Sequence, residues 1–346
     1  MRRHIFYLLA VPVLAGLAAC SEKMEWDVDG ESLIHVTKSD VLFEAAAGNG
    51  TVVFEAAGEV TAETDRDWCS ATVDGNTVNV SVTENGSLEG RSSQLVLRCG
   101  TDSVHVTVQQ IGLRFQLSAG GEIVTGSDDE HSLTYDMSSN VPLTFEPDGD
   151  WFSVASDGEH LTVNFKENTS GHARIGILRY SSDTFSDSLK VTQYDFDKDI
   201  AGPCILTFYE TAEGEGGLMG LNAVLSRTAL SIPAYGWTIP VTFDSEKARF
   251  TMNNGSAMGT YQGYNIYNTV LGGGYYTWST SVYVLFPLGY DAEAGITFFD
   301  MQDAGTWTYP IECMMFYAFN GAAASASAIG SVLRLYSPSI WRMDPQ

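Results

Sequence analysis

DWCSATVDGNTVNVSVTEN, residues 67–85, returns as DWFSVASDGEHLTVNFKEN at residues 150–168. Both copies open on Asp-Trp, carry Asp-Gly near the middle and end on Glu-Asn. Between these anchors apolar residues alternate with polar ones, as at Val78, Val80 and Val82 of the first copy. A period of two is typical of a strand with one buried face, and Asp-Gly favours a tight turn between such strands. The repeat therefore predicts two similar β-domains in tandem.

The repeat extends on both sides of this stretch. Arg91 returns as Arg174, and Gln109 returns one residue late as Gln193. Units of this size, built from short strands and turns, are typical of Ig-like Greek-key β-sandwiches. We expect one sandwich over residues 33–112 and a second over 113–196.

The repeated residues resemble the BACON family, named as Bacteroidetes-associated, carbohydrate-binding and often N-terminal. The resemblance rests on Trp68, Asn85, Arg91 and Val106–Gln109, and in the second copy on Trp151, Asn168, Arg174 and Val191–Gln193. It implies either sugar binding or a spacer that holds a further domain away from the membrane. The two tryptophans either stack on sugars or cover the sandwich cores, and we expect the second. We expect the asparagines to shape turns and the arginines to pair with carboxylates.

The first nineteen residues have the composition of an export signal. A positive start, Met1–His4, precedes thirteen almost wholly apolar residues, which are too few to span a membrane as a helix. Leu17-Ala18-Ala19-Cys20 then resembles the bacterial lipobox. The resemblance implies a cleaved signal peptide over residues 1–19, acyl chains such as palmitate on Cys20, and a lipidated tether over 20–32. The alternative is an ordinary secretory signal with an incidental cysteine.

The residues after Cys20 bear on the location. Ser21–Glu25 is similar to the serine-plus-acidic tracts that send lipoproteins of the Bacteroidota to the cell surface. We therefore expect a lipid-anchored protein of the outer membrane that faces the cell exterior, with retention inside the envelope as the alternative.

The charge limits the partners. The formal net charge is −25, and such a surface repels nucleic acid and anionic lipid headgroups. We expect the acidity to serve solubility. Calcium binding is the alternative, but no complete EF-hand loop is present. We expect no cofactor and no metal, and as partners the membrane through the lipid anchor, polysaccharide or host glycan, and other envelope proteins.

The region 197–346 holds twenty-four of the forty aromatic residues. Its short apolar runs and Gly-rich turns predict an aromatic-rich all-β domain, an antiparallel β-meander closed as a barrel or folded as a sandwich. Flat aromatic faces with polar edges suit sugar rings, although some of these residues must form the core. The candidate ligand-binding residues are Tyr264, Tyr267, Tyr275, Tyr276, Trp278 and Trp307. Alternation places Tyr276 and Trp278 on one strand face and Tyr275 on the other, and we expect one of these faces to be core.

Four cysteines remain besides Cys20. Cys69 and Cys99 fall in the first sandwich and Cys204 and Cys313 in the last domain, so each pair is a candidate disulfide in an oxidising compartment. The alternative is four buried thiols.

Catalytic signatures are missing from the sequence. Region 197–346 contains no histidine, so it has no Ser-His-Asp or Cys-His site of its own. A carboxylate pair for glycoside hydrolysis is the least favoured alternative. The sequence predicts a non-catalytic cell-surface lipoprotein whose C-terminal domain binds glycan, with the two sandwiches as spacer. The main rival is a structural or adhesive envelope protein that binds no glycan.

Overall fold

The computed structural model describes residues 32–321 and 327–343, and almost every element in these ranges is a β-strand. Two sandwiches precede a larger all-β domain, so the predicted fold class is confirmed. The predicted signal peptide, the lipid site Cys20 and nearly all of the tether lie outside the described residues. No helix in the described ranges is long and apolar enough to cross a membrane.

The first sandwich has eight strands in two four-stranded sheets. These are β1 (Ile34–Asp40), β2 (Leu42–Phe43), β3 (Gly48–Ala56), β4 (Val60–Thr64), β5 (Cys69–Asp74), β6 (Thr77–Val82), β7 (Arg91–Cys99) and β8 (Asp102–Gln110). The sheet orders are β1-β3-β6-β5 and β2-β8-β7-β4. The alternating valines Val78, Val80 and Val82 of β6 point into the core between the sheets, as the period of two predicts.

The second sandwich repeats this topology strand for strand. Its strands are β9 (Phe115–Leu117), β10 (Glu122–Thr125), β11 (His131–Ser139), β12 (Thr144–Pro147), β13 (Phe152–Ser156), β14 (His160–Phe165), β15 (Arg174–Ser181) and β16 (Ser186–Gln193). The sheet orders are β13-β14-β11-β9 and β10-β16-β15-β12. Even the parallel pairing of β2 with β8 recurs, between β10 and β16. The opening strands, which the sequence repeat does not show, are therefore present in both copies.

Specific contacts fix the junction between the sandwiches. One carboxylate oxygen of Glu84 accepts hydrogen bonds from the Thr184 amide at 2.9 Å and from the hydroxyls of Ser182 and Thr184. Burial opposes ionisation of Glu84, but these hydrogen bonds outweigh it and lower its pKa. Leu113 packs with Ala45 of the first sandwich and Val141 of the second. The two units are therefore joined as a short rod rather than by a free linker.

The C-terminal domain is one continuous sheet of fourteen strands. These are β17 (Gly202–Tyr209), β18 (Met219–Leu225), β19 (Ala229–Ile232), β20 (Trp237–Pro240), β21 (Thr242–Asp244), β22 (Arg249–Asn253), β23 (Ala257–Tyr261), β24 (Tyr264–Gly272), β25 (Tyr275–Thr277), β26 (Tyr283–Asp291), β27 (Ile296–Asp300), β28 (Gln302–Asp303), β29 (Cys313–Asn320) and β30 (Ser327–Arg342). The main path runs β20-β19-β18-β17-β30-β27-β26-β22-β21, and β24 with its neighbours joins it through β29 and β30.

This sheet curls into a nearly closed barrel around one apolar core. Trp237 at the start of β20 is almost fully buried, and its indole Nε1 donates to the carbonyl of Thr260 in β23 at 3.1 Å. The β20 end of the main path therefore meets β23, the end of the branch through β24 and β29, across a side chain. The sequence left open whether this domain is a barrel or a sandwich, and the structure is barrel-like.

The second sandwich is joined to the barrel by shared packing. Tyr194 and Phe196 follow the last sandwich strand, and their rings pack with Phe243 of the barrel core. The hydroxyl of Tyr194 donates to the carbonyl of Ser245 at 3.0 Å. Removal from water raises the pKa of Tyr194 to about 12.

A buried carboxylate at this junction predicts a pH-dependent stability. Asp199 is 3% exposed; its Oδ2 accepts from the Asp195 amide at 2.8 Å, while its Oδ1 has no hydrogen-bond partner. Burial raises the pKa of Asp199 to about 6, from about 3.9 in the unfolded chain. The folded state therefore binds a proton on Asp199 more tightly than the unfolded chain does, so protonation of Asp199 stabilises the fold. This contribution is complete below pH ~4 and is lost as the pH rises through about 6.

We therefore expect Asp199→Asn to raise the free energy of unfolding at pH 8 by about 2–3 kcal/mol and to leave it nearly unchanged at pH 4. Thermal melts of both proteins across this pH range measure the effect. Equal stability at pH 8 would contradict it.

Candidate functional site

The hairpin between β24 and β25 carries the candidate aromatic residues. Gly273 and Gly274 form its turn with φ of 57° and 77°, a left-handed conformation that strongly favours glycine. The Gly273 amide donates to a carboxylate oxygen of Glu312 at 3.0 Å, which ties the turn to the segment before β29. The turn thus presents Tyr275 and Tyr276 at the rim of the barrel.

The two tyrosines leave the strand on opposite faces, as alternation predicts. Tyr276 pairs with Leu271 on the outer face, and Tyr275 pairs with Gly272 on the face that belongs to the core. Yet Tyr275 is 60% exposed and Tyr276 41% exposed. One of the two faces is core, as expected, but neither tyrosine is buried, because the strand lies at the edge of the sheet, beyond the packed interior.

Five rings form what we call the outer aromatic cluster: Tyr267, Tyr276, Trp278, Tyr317 and Phe319. Tyr276 stacks on Tyr317 with ring centroids 5.1 Å apart and planes inclined by 15°. Trp278 lies 5.8 Å from Tyr276 and meets the buried ring of Phe319 edge-on at 5.5 Å, as does Tyr267. The predicted shared face of Tyr276 and Trp278 is present, and its floor is supplied by β29.

The cluster combines apolar faces with polar edges. Burial first, and then the hydroxyl of Tyr276, raise the pKa of Tyr317, so its phenol stays protonated at neutral pH. Protonated phenols at the edge of an apolar platform can donate and accept hydrogen bonds. This is the chemistry needed to hold a ligand with one apolar face and several hydroxyls.

A second group lies around the turn. Tyr275 stacks on Tyr309 at 4.9 Å, and Trp307 meets Tyr309 edge-on at 5.3 Å while packing against the barrel core. Asp303 fixes this loop, since its carboxylate accepts from the amides of Gly305 and Ile311. We call Tyr275 and Tyr309 the rim pair.

The six candidate residues thus divide into three places. Tyr267, Tyr276 and Trp278 come together in the outer aromatic cluster, while Tyr275 and Trp307 lie at the rim. Tyr264 stands apart on the β23–β24 hairpin, where it pairs with Tyr261.

Sequence reasoning missed three residues of these groups: Tyr309, Tyr317 and Phe319. Tyr317 and Phe319 belong to a run that is apolar on both faces, so alternation did not show which side chains point outward. Tyr317 pairs with the already suspected Tyr267. Only the strand register places these two residues side by side, and the sequence alone does not specify that register.

The repeated tryptophans have a structural role. The Arg91 guanidinium lies over the Trp68 ring at 4.3 Å, and Arg174 lies over Trp151 at 5.1 Å. Arg91 also donates to the carbonyl of Thr83, and Arg174 donates to the carbonyl of Lys166. The expected pairing of these arginines with carboxylates is wrong. One face of each ring is covered by a guanidinium and each ring packs against its sandwich core, which favours a structural role for both tryptophans.

The closing glutamine corrects the register of the repeat. Gln110, not Gln109, is the counterpart of Gln193. The side-chain amide of Gln110 donates to the carbonyl of Thr83, and that of Gln193 donates to the carbonyl of Lys166. Each glutamine also accepts a hydrogen bond from the repeated arginine of its own sandwich. Asn85 and Asn168 accept from the amides of Ser87 and Ser170 and so shape turns, as expected.

Neither predicted disulfide forms. Cys69, Cys99, Cys204 and Cys313 are all buried and free. Cys69 lies beside Ser93 of β7, whereas Cys99 is at the far end of the same strand, roughly 20 Å away at about 3.3 Å per residue. Cys204 and Cys313 pair with Arg342 and Tyr336, again six residues apart on one strand. A disulfide needs Cα atoms within about 7 Å.

Buried thiols of this kind are unreactive. Burial raises the pKa of Cys204 and of Cys313 to about 12. Within residues 32–321 and 327–343, no three His, Cys, Asp or Glu side chains converge to hold a metal ion.

Two segments of the chain, one in each sandwich, match a family model. Residues 58–110 and 141–194 match the family model described as "BACON: Putative binding domain, N-terminal". Each sandwich carries a BACON segment. The matched segments span the Trp–Arg stack and the closing glutamine of both sandwiches, so the BACON resemblance seen in the sequence is confirmed for these two regions.

Solved structures resemble the chain only loosely. A titin I9–I11 tandem is 9% identical with a TM-score of 0.33, covering 79% of this chain and 95% of its own. An endo-fucoidan hydrolase of glycoside hydrolase family 107 is 12% identical with a TM-score of 0.25 over 49% of this chain. This chain spans only 29% of that hydrolase. At such TM-scores neither likeness supports a function, and no curated protein sequence matches the chain.

Proposed function

We propose that the chain is a non-catalytic cell-surface lipoprotein that binds glycan through the outer aromatic cluster. The observation that carries this is the stack of Tyr276 on Tyr317 beside Trp278, on a sheet face that is open to solvent. Aromatic rings receive the axial C–H groups of a sugar on their faces, while phenol edges bond its hydroxyls.

The two BACON-containing sandwiches act as spacer in this proposal. Their tryptophan faces are occupied by Arg91 and Arg174, and the Glu84 contacts hold the sandwiches together. A rod of this kind holds the barrel away from the surface to which its N-terminal end is attached. This supports the division into a binding domain and a support.

The test of the proposal is a glycan-array screen of the lipid-free protein from Ser21 onward. We expect retention on polysaccharides or host glycans, and we expect Tyr276→Ala to remove it. Absence of retention on every glycan would overturn the proposal and favour the structural or adhesive role.

Attachment to the outer membrane through Cys20, with the chain facing the exterior, is part of the same proposal. It predicts that Cys20→Ser blocks lipidation, because serine has no thiol to form the thioether. Detergent partitioning and mass spectrometry of the N-terminus measure this. The wild type should enter the detergent phase with an acyl mass on residue 20, and the variant should not. A wild type without acyl mass contradicts the anchor.

A further inference from the structure

A cleft lies between the second sandwich and the barrel. Two adjoining cavities of about 620 and 390 Å³ fill it, and both are lined by Glu122 and Lys190 of the sandwich and by Lys247 and Arg249 of the barrel. Their volumes are in the usual range for ligand sites, about 300–1,000 Å³. The cleft is separate from the outer aromatic cluster, with which it shares no residue.

The cleft gathers three cations against three carboxylates, Glu122, Glu246 and Asp300, in a chain that is otherwise strongly acidic. The whole chain has 43 acidic and 18 basic residues. In the first cavity three cations, Lys190, Lys247 and Arg249, face two carboxylates, Glu122 and Glu246. In the second cavity the same cations face Glu122 and Asp300.

The three cations are not fully used by the fold. Lys190 is held in place, since its ammonium donates to the carbonyl of Leu288 at 2.7 Å across the junction. Arg249 has a buried Nε without a hydrogen-bond partner, and that atom lies 3.7 Å from the nearest Asp244 oxygen. Lys247 is exposed, and among the described residues its ammonium group forms no ion pair. That buried Nε is out of reach of a ligand, but 29% of the Arg249 side chain is exposed, and its guanidinium beside the exposed Lys247 suits an anionic group.

Aromatic residues flank the cations along the cleft. Tyr135 lines the first cavity, and Phe298 lines the second. The Phe298 ring lies against Gly289 so closely that a Cβ there would be 2.5 Å from it. A third cavity of about 230 Å³ shares Phe298 and Asp300 with the second and adds Trp341, which is 37% exposed. The result is one groove in which aromatic rings stand on both sides of the three cations, with Asp291 and Asp300 at the end beside Trp341.

We propose that this groove binds an acidic polysaccharide, with Lys247 and Arg249 holding a carboxylate or sulfate group and Phe298 and Trp341 stacking on neighbouring sugars. A polymer is inferred because the groove continues through three cavities. The inference rests on the proposed function only in the class of ligand, a glycan, and it uses different residues.

The test compares acidic polymers with neutral counterparts in affinity electrophoresis of the full lipid-free chain. Dextran sulfate against dextran tests the sulfate group, and polygalacturonate against methyl-esterified pectin tests the carboxylate. We expect stronger retention by at least one acidic polymer, lost at about 1 M NaCl, where the Debye length is about 3 Å. Lys247→Ala combined with Arg249→Gln should weaken this retention roughly tenfold or more. Lys247→Ala alone, at an exposed position, guards against a folding defect and should weaken it in part.

Lys38→Ala on the first sandwich is the matched control for Lys247→Ala, since both lysines are exposed and each change removes one positive charge. Retention of acidic and neutral polymers alike, or equal retention by the double variant and the Lys38 control, overturns the groove proposal. Neutral retention that depends on Tyr276 would survive that outcome. Conversely, acidic retention that depends on Lys247 but not on Tyr276 supports the groove and rejects the outer aromatic cluster.

Discussion

Trp151→Ala is expected to destabilise the second sandwich by about 3 kcal/mol while leaving glycan retention intact. The Trp151 ring packs against Phe152 at 4.6 Å and carries Arg174 on its face. The backbone of Gly176 approaches it so closely that a Cβ there would be 3.0 Å from the ring. Truncation would therefore leave a cavity and a guanidinium without its partner surface.

Calorimetry of the lipid-free chain measures this effect. A loss of about 3 kcal/mol lowers the melting temperature of a domain of this size by roughly 10–20 °C. Trp151→Phe, which keeps a ring in the core, should lose much less. Unchanged melting together with lost glycan retention would show that Trp151 binds sugar, and the spacer role would be wrong.

Tyr276→Ala combined with Trp278→Ala is expected to abolish glycan retention at a small cost in stability. Aromatic hot spots contribute about 2 kcal/mol or more each, so each lost ring should weaken binding about 30-fold. Tyr276 is 41% exposed and Trp278 is half-buried over Phe319, so we expect a destabilisation of about 1–2 kcal/mol. Affinity electrophoresis beside a thermal melt reads both quantities.

Tyr235→Ala is the matched control for this variant. Tyr235 is 43% exposed and stacks on Trp237 at 4.4 Å, so it resembles Tyr276 in exposure and ring contact but lies outside the outer aromatic cluster. Its variant should keep glycan retention. If the double variant loses several kcal/mol of stability, or keeps retention, the two rings support the fold rather than bind.

The sandwiches were predictable because their information is local. Asp-Trp, the Asp-Gly turn and the alternating valines fix strands β5 and β6, and their return at a constant spacing predicts a second copy. What the repeat did not reveal were contacts across strands. The stacking of Arg91 on Trp68 and the role of Gln110 depend on register, which sets residues far apart in sequence side by side.

The barrel was predictable only as an all-β domain. Strand β30 pairs with three partners, β17, β27 and β29, and bends at Ser337, where φ is 47°. No glycine marks this bend, and pairing between strands more than a hundred residues apart has no local signal. The rings of β24 and β29 meet through another non-local pairing, which sets Tyr267 beside Tyr317, so the sequence could name Tyr276 and Trp278 but not Tyr317.

The groove could not be predicted either, because it also depends on contacts between distant parts of the chain. Lys190 belongs to the second sandwich, and Lys247 and Arg249 belong to the barrel, so their meeting depends on how two domains are joined. In a chain with 43 acidic and 18 basic residues, the composition also gives no sign that three cations cluster. The overall charge excludes partners that contact the whole surface, but not a ligand that enters one cleft.

The central claim is that the barrel, and not the sandwich pair, holds the glycan. Affinity electrophoresis of the full lipid-free chain beside a chain of residues 21–196 tests this most directly, with a far-UV spectrum to show that the shorter chain is folded. The account predicts that the full chain is retained by a glycan identified on the array and that the folded shorter chain migrates as in a gel without glycan. Equal retention of the two would place binding in the sandwiches and contradict the account.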